Sequence, residues 1–156
     1  MASSATSIAA RSPRLEAAGR ILRRLDGISY TLLAIPVRLG AAVVFWNSAV
    51  TKLPNWETTV GLFADEYRVP LLPPEVAAWM ATAIELTAPV LLVVGLLTRP
   101  AALVLLGMTA VIQIFVYPAA WPTHLQWAAL LLILLVRGPG KISIDWVIRR
   151  RLLGDG

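Results

Sequence analysis

Cysteine is absent from this 156-residue sequence, and histidine occurs once, as His124. Without cysteine there is no disulfide, thiol redox pair, iron–sulfur cluster or thioether-linked haem. One histidine cannot supply a bis-histidine haem or a histidine-rich metal cluster within a single chain. Charge is also scarce, at 15% of residues against roughly 25% in an average soluble domain. No nucleophile–base pair, P-loop or dinucleotide-binding glycine fingerprint is evident, so an enzyme of soluble type finds no support.

Apolar residues fill the composition instead. They make up 58% of the chain, and the mean hydropathy is +0.72. These values exclude a soluble globular protein, a disordered chain and a repeat solenoid. An integral membrane protein remains. At roughly 20 apolar residues per span, the length holds one domain of about four spans.

The first 27 residues are basic and lack the apolar run of a cleaved signal peptide. Leu15, Ala18, Leu22 and Leu25 recur at helical spacing among arginines. This pattern predicts an amphipathic helix on an anionic membrane surface, with a disordered basic tail as the alternative. Residues 28–137 predict a four-span bundle, with spans at about 28–50, 76–97, 100–117 and 121–136. Between the first two spans, Val60, Phe63 and Tyr67 share one face of a short interfacial helix. Pro73-Pro74-Glu75 suits a helix start, because proline fits the first turn and an acid complements the dipole. The later connectors are so short that spans two to four must run up and down as neighbours. In the tail, 138–156, Ser143 is placed to cap a last helix that has an apolar face and a basic face. The fold class is therefore an all-α membrane protein. It is an antiparallel four-transmembrane-helix bundle with amphipathic interfacial helices at both termini.

Eleven lysines and arginines fall in the two terminal segments and the 98–100 connector. Across the bundle only Lys52 and Arg68 stand, beside Glu57, Asp65, Glu66 and Glu75. The bias puts both termini in the cytoplasm. The charge is then a topology signal, and no nucleic-acid partner is needed to explain it. Trp56, Trp79, Trp121 and Trp146 fall near span ends, as interfacial anchors do.

Ionisable groups inside a bilayer are costly and face partners or cavities. Counting 1.5 Å per residue from the cytoplasmic side puts Arg38 at ~15 Å, Gln126 at ~16 Å, Glu85 at ~18 Å, and Gln113 and His124 at ~20 Å. The five predict one polar layer about 5 Å thick. Its simplest chemistry is an Arg38–Glu85 ion pair, since a guanidinium forks onto a carboxylate. Pro89 frees the carbonyl of Glu85 and predicts a kink there. The layer reads either as a ligand site or as a fold-specifying network. Lys52 lies near the outer surface, where snorkelling accounts for it.

These residues resemble the DoxX family of small four-span membrane proteins. The resemblance rests on Arg38-Leu39-Gly40, Phe45-Trp46-Asn47 and Lys52-Leu53-Pro54 in and after the first span. It continues with Glu85 in an apolar run ending Gly95-Leu96-Leu97-Thr98-Arg99. Further on come His124-Leu125-Gln126-Trp127 and Gly138-Pro139-Gly140-Lys141-Ile142-Ser143-Ile144-Asp145. It spans about residues 28–148, with one departure: Asn47-Ser48 stands where members often carry glycine. The resemblance implies a multi-pass protein of a bacterial-type inner membrane, tied to a redox system and to quinone. No cofactor is intrinsic to the chain, so electrons would come from a redox partner subunit. Two other classes compete. One is a non-catalytic scaffold or assembly protein. The other is a small-molecule carrier, which the lack of inverted repeats disfavours. The partners expected are the lipid bilayer and a protein subunit, with a homo-oligomer left open.

Overall fold

Apolar and small residues spaced by three and four set the long helices of the computed structural model, which describes residues 13–154. The first twelve residues of the basic N-terminal segment and the last two of the tail lie outside the described residues. Seven α-helices and no strand occur among those described. They are α1 (Pro13–Asp26), α2 (Tyr30–Lys52), α3 (Trp56–Leu62), α4 (Pro74–Val94), α5 (Thr98–Val111), α6 (Trp121–Arg137) and α7 (Ile144–Leu153). A π-helical turn extends α3 over Phe63–Tyr67, and another extends α5 over Ile112–Val116. Four stretches are long and apolar enough to cross a membrane: Tyr30–Lys52, Pro74–Val94, Thr98–Val116 and Pro118–Arg137. All four expected spans are present, with ends shifted by up to three residues.

α2 packs on α4, α4 on α5, α5 on α6, and α6 back on α2, closing an antiparallel bundle. On α2 the buried stripe is Ala34, Arg38, Ala41, Phe45, Ala49 and Lys52. On α4 it is Ala78, Thr82, Glu85, Pro89 and Leu92. Spacings of three and four keep each stripe on one face. The alanines let the backbones approach closely. Ala41, Phe45, Leu92, Ala102, Leu105, Leu131 and Leu134 form the core. The outer surface stays apolar, with Leu103, Ile114, Leu125 and Val136 all exposed. That is a lipid-facing surface, far beyond the apolar patches of soluble monomers. The protein is a small integral membrane protein.

The caps are local. Ser29, Asn55 and Ser143 accept from Thr31 N, Thr58 N and Trp146 N at the starts of α2, α3 and α7. Pro74 opens α4. The two ends of the bundle differ. At one end, here the tail end, α1, the α4–α5 turn and α7 gather. At the other, the loop end, α3 and its π-turn cover α4, with Phe63 packed on Ala77 and Ala78.

Candidate functional site

Side chains on a helix lean toward its N-terminus. α2 and α4 run antiparallel, so their side chains lean to opposite ends of the bundle. Arg38 on α2 therefore points to the tail end, while Glu85 on α4 points to the loop end. Arg38 does not pair with Glu85, and the expected ion pair is corrected. Its guanidinium donates to Leu92 O (2.7 Å), Ile142 O (2.6 Å) and Pro139 O (3.4 Å), and also to Val93 O. It thus binds two carbonyls of the last turn of α4 and fastens the 138–143 segment beneath them.

Glu85 pairs with Lys52 instead, Nζ to Oε2 at 2.7 Å. Lys52 sits two heptads beyond Arg38 on the same buried stripe. Its side chain leans back down α2 and also donates to Ser48 O (3.2 Å) and Ser48 Oγ (2.7 Å). Those three contacts occupy all three ammonium hydrogens. Ser48 Oγ donates to Glu85 Oε1 at 3.0 Å. The Ser48 hydroxyl is thus part of the ion-pair cluster.

The pair borders a cavity of about 350 Å³ at the loop end. Its walls are chiefly apolar, among them Phe45, Phe63, Met80, Ile84, Val104 and Met108. Ser48, Lys52, Glu85, Tyr67, Tyr117 and His124 contribute polar groups, and Trp127 closes another side. Phe45 meets the Trp127 ring edge-on at 5.7 Å, and His124 lies 5.0 Å from that ring.

His124 faces inward and is 4% exposed. Gln113 Nε2 donates to Pro118 O at 2.8 Å, which turns Gln113 Oε1 toward His124 Nδ1 at 2.7 Å. A carbonyl oxygen only accepts, so Nδ1 carries the hydrogen in the neutral ring. Nε2 is left as an acceptor beside the cavity. Tyr117 donates to Glu66 across the rim, and this bond, with burial second, holds the Tyr117 hydroxyl well above the ordinary tyrosine pKa. Tyr67 packs edge-on against Tyr117 at 5.9 Å.

The DoxX family profile matches residues 33–118, more than half of the chain. The chain belongs to the DoxX family. The match runs from α2 to the end of the π-turn after α5, so this DoxX protein carries Arg38, Lys52, Glu85 and Gln113 inside the matched region and His124 beyond it. No curated protein and no solved structure matches the chain.

The expected single polar layer of this DoxX protein is two sites. Glu85 and His124 line the cavity, and Gln113 supports His124 from behind. Arg38 belongs to the tail end. Gln126 is exposed on the outside of α6; two residues from His124 is about 200° of helix rotation, so both cannot face inward. Lys52, Ser48, Tyr67 and Tyr117 are the site residues that the depth count passed over. For Lys52 and Ser48 the signal was there, in the α2 stripe and the i, i+4 spacing. No group of three metal-ligating side chains occurs among the described residues.

Proposed function

We propose that this DoxX protein is a quinone-interacting component of a redox system in a bacterial-type inner membrane, with the loop-end cavity as its ligand site. One observation carries the reading: an apolar cavity of about 350 Å³ has a buried ion pair on its wall and a histidine Nε2 beside it. Such pockets orient an apolar ligand by a few placed polar groups. The quinone/quinol couple fits that description, having an apolar ring and tail with two oxygens that exchange protons. Glu85 keeps lone pairs beyond its bonds to Lys52 and Ser48, and His124 Nε2 is an acceptor. These two would take hydrogen bonds from quinol hydroxyls and hold the protons that leave. When bound, the quinone supplies two-electron, two-proton chemistry, and a partner subunit would pass the electrons. By the positive-inside rule the tail end faces the cytoplasm.

The test is native mass spectrometry of the full chain extracted in mild detergent, with solvent extraction of the bound fraction. Wild type should carry a quinone. Glu85→Gln, and the apolar double variant Lys52→Met/Glu85→Leu, should lose it. Phospholipid alone in wild type, unchanged in both variants and accompanied by a stoichiometric partner protein, would replace this reading with a membrane scaffold.

A further inference from the structure

We propose that a second pocket, at the tail end, binds the phosphate headgroup of an anionic glycerophospholipid. The pocket measures about 580 Å³ and lies between the start of α2, the α4–α5 turn, the end of α6 and α7. Arg99, Arg137, Lys141, Arg149 and Arg150 line it. Asp145 is the one carboxylate among its lining residues. Both of its oxygens are engaged, by Leu97 N at 2.7 Å and Thr98 N at 2.9 Å. Among the described residues no carboxylate comes within ion-pair distance of Arg99, Arg137, Lys141 or Arg150.

Those cations are placed without being neutralised. Arg137 lies 4.7 Å over the Tyr30 ring, and the Tyr30 hydroxyl is itself pinned to Gly138 O at 2.7 Å. Arg150 lies 5.2 Å over the Trp146 ring. Arg99 spends one nitrogen on Val136 O at 3.2 Å. Stacking on a ring holds a guanidinium plane while leaving its edge N–H groups to a ligand. A planar fork of donors matches phosphate oxygens bidentately.

The position of the pocket favours a lipid as the source of the phosphate. It opens at the level where α5 begins and α6 ends, at the close of two membrane spans. Leu97 and Pro100 form apolar parts of its wall. Directly beyond lie the exposed Leu103 and Val136, on the lipid-facing surface. A headgroup in the pocket would therefore lay its acyl chains along α5 and α6. Basic pockets between span ends are suited to anionic headgroups. This proposal is independent of the loop-end cavity and stands whether or not a quinone binds there.

The full chain in mild detergent is titrated with dioleoyl phosphatidylglycerol and, separately, with dioleoyl phosphatidylcholine, and bound lipid is counted by native mass spectrometry. Wild type should retain phosphatidylglycerol selectively. Arg99→Gln/Lys141→Gln should weaken that binding roughly twenty-five-fold, at about fivefold per basic residue removed. Lys141→Gln alone changes an exposed side chain and should weaken it about fivefold. Removing one charge at the loop end, by Arg68→Gln, should leave it unchanged. Equal binding of the two lipids, or a loss in Arg68→Gln equal to that in Lys141→Gln, would overturn the site. Displacement of phosphatidylglycerol by inorganic phosphate would assign the pocket to a soluble anion and overturn the lipid.

Discussion

Lys52 and Glu85 show how much one residue's direction matters. Depth along a helix placed Arg38 and Glu85 level with each other, yet antiparallel helices throw their side chains apart, and the partner of Glu85 is the lysine that leans back toward it. The buried stripe on α2 was legible from spacing, since Arg38, Phe45 and Lys52 each fall seven residues apart. The pairing was not, because counting residues gives the height of a Cα and not that of a charged tip. Gln126 was legible as outward-facing from its two-residue offset to His124. The energetics follow from burial. Glu85 is 2% exposed, so Glu85→Gln strands the Lys52 ammonium in a low-dielectric site. Breaking a buried pair from one side costs about 3 kcal/mol, whereas replacing both partners by apolar groups of similar size is close to neutral. Thermal unfolding in detergent should show a large fall in Tm for Glu85→Gln and recovery in Lys52→Met/Glu85→Leu. Equal falls in both would mean that the pair itself, rather than the cost of an unpaired charge, holds α2 to α4.

At the scale of elements, the helices, the Ser143 cap and the proline start of α4 were legible, whereas the caps at Ser29 and Asn55 and the junctions were not. The segment after α6 holds the expected short helix. Its 138–143 stretch also plugs the end of the bundle. Arg38 grips its carbonyls, Asp145 caps the start of α5, and Asp145 N donates to Gly95 O at 2.8 Å. Both ends of that grip depend on contacts far apart in sequence, which no local pattern reports. Gly95 is the position where the plug comes closest. Its φ is +69°, and a Cβ there would lie 2.5 Å from Ser143 Cβ and 3.0 Å from an Arg38 nitrogen. Gly95→Ala therefore combines an unfavourable left-handed backbone with a clash that neither α4 nor α7 can relieve alone. We expect the 138–143 segment to lift away, freeing the backbone beside the already exposed Lys141 and Arg137 for cleavage. Limited trypsin digestion of the variant should cleave there at least several times faster than wild type. An unchanged digestion rate would show that the plug is held from elsewhere.

Taken whole, the core between the spans is packed toward the tail end and hollow toward the loop end. Alanine contacts, leucines and the Arg38 grip fill the bundle near the tail, with the basic pocket outside that core, while the loop end leaves about 350 Å³ between α4, α5 and the α3 cover. Composition and periodicity gave the four-span bundle but could not give this asymmetry, which arises from how α3 and the two π-turns sit over the helix ends. An apolar space of that size with a few polar groups on its wall is suited to seat part of an apolar ligand. Ala81 lines the cavity on α4, and Ala81→Phe would place a ring in the space. If the cavity is a ligand site, this variant keeps or raises its Tm while losing the co-purifying quinone, because the ring replaces the occupant's contacts without its chemistry. If Ala81→Phe raises Tm and the quinone stays bound, the ligand lies elsewhere and the volume is a packing defect filled by lipid. The two readouts move in opposite directions only when the hollow end is the functional end.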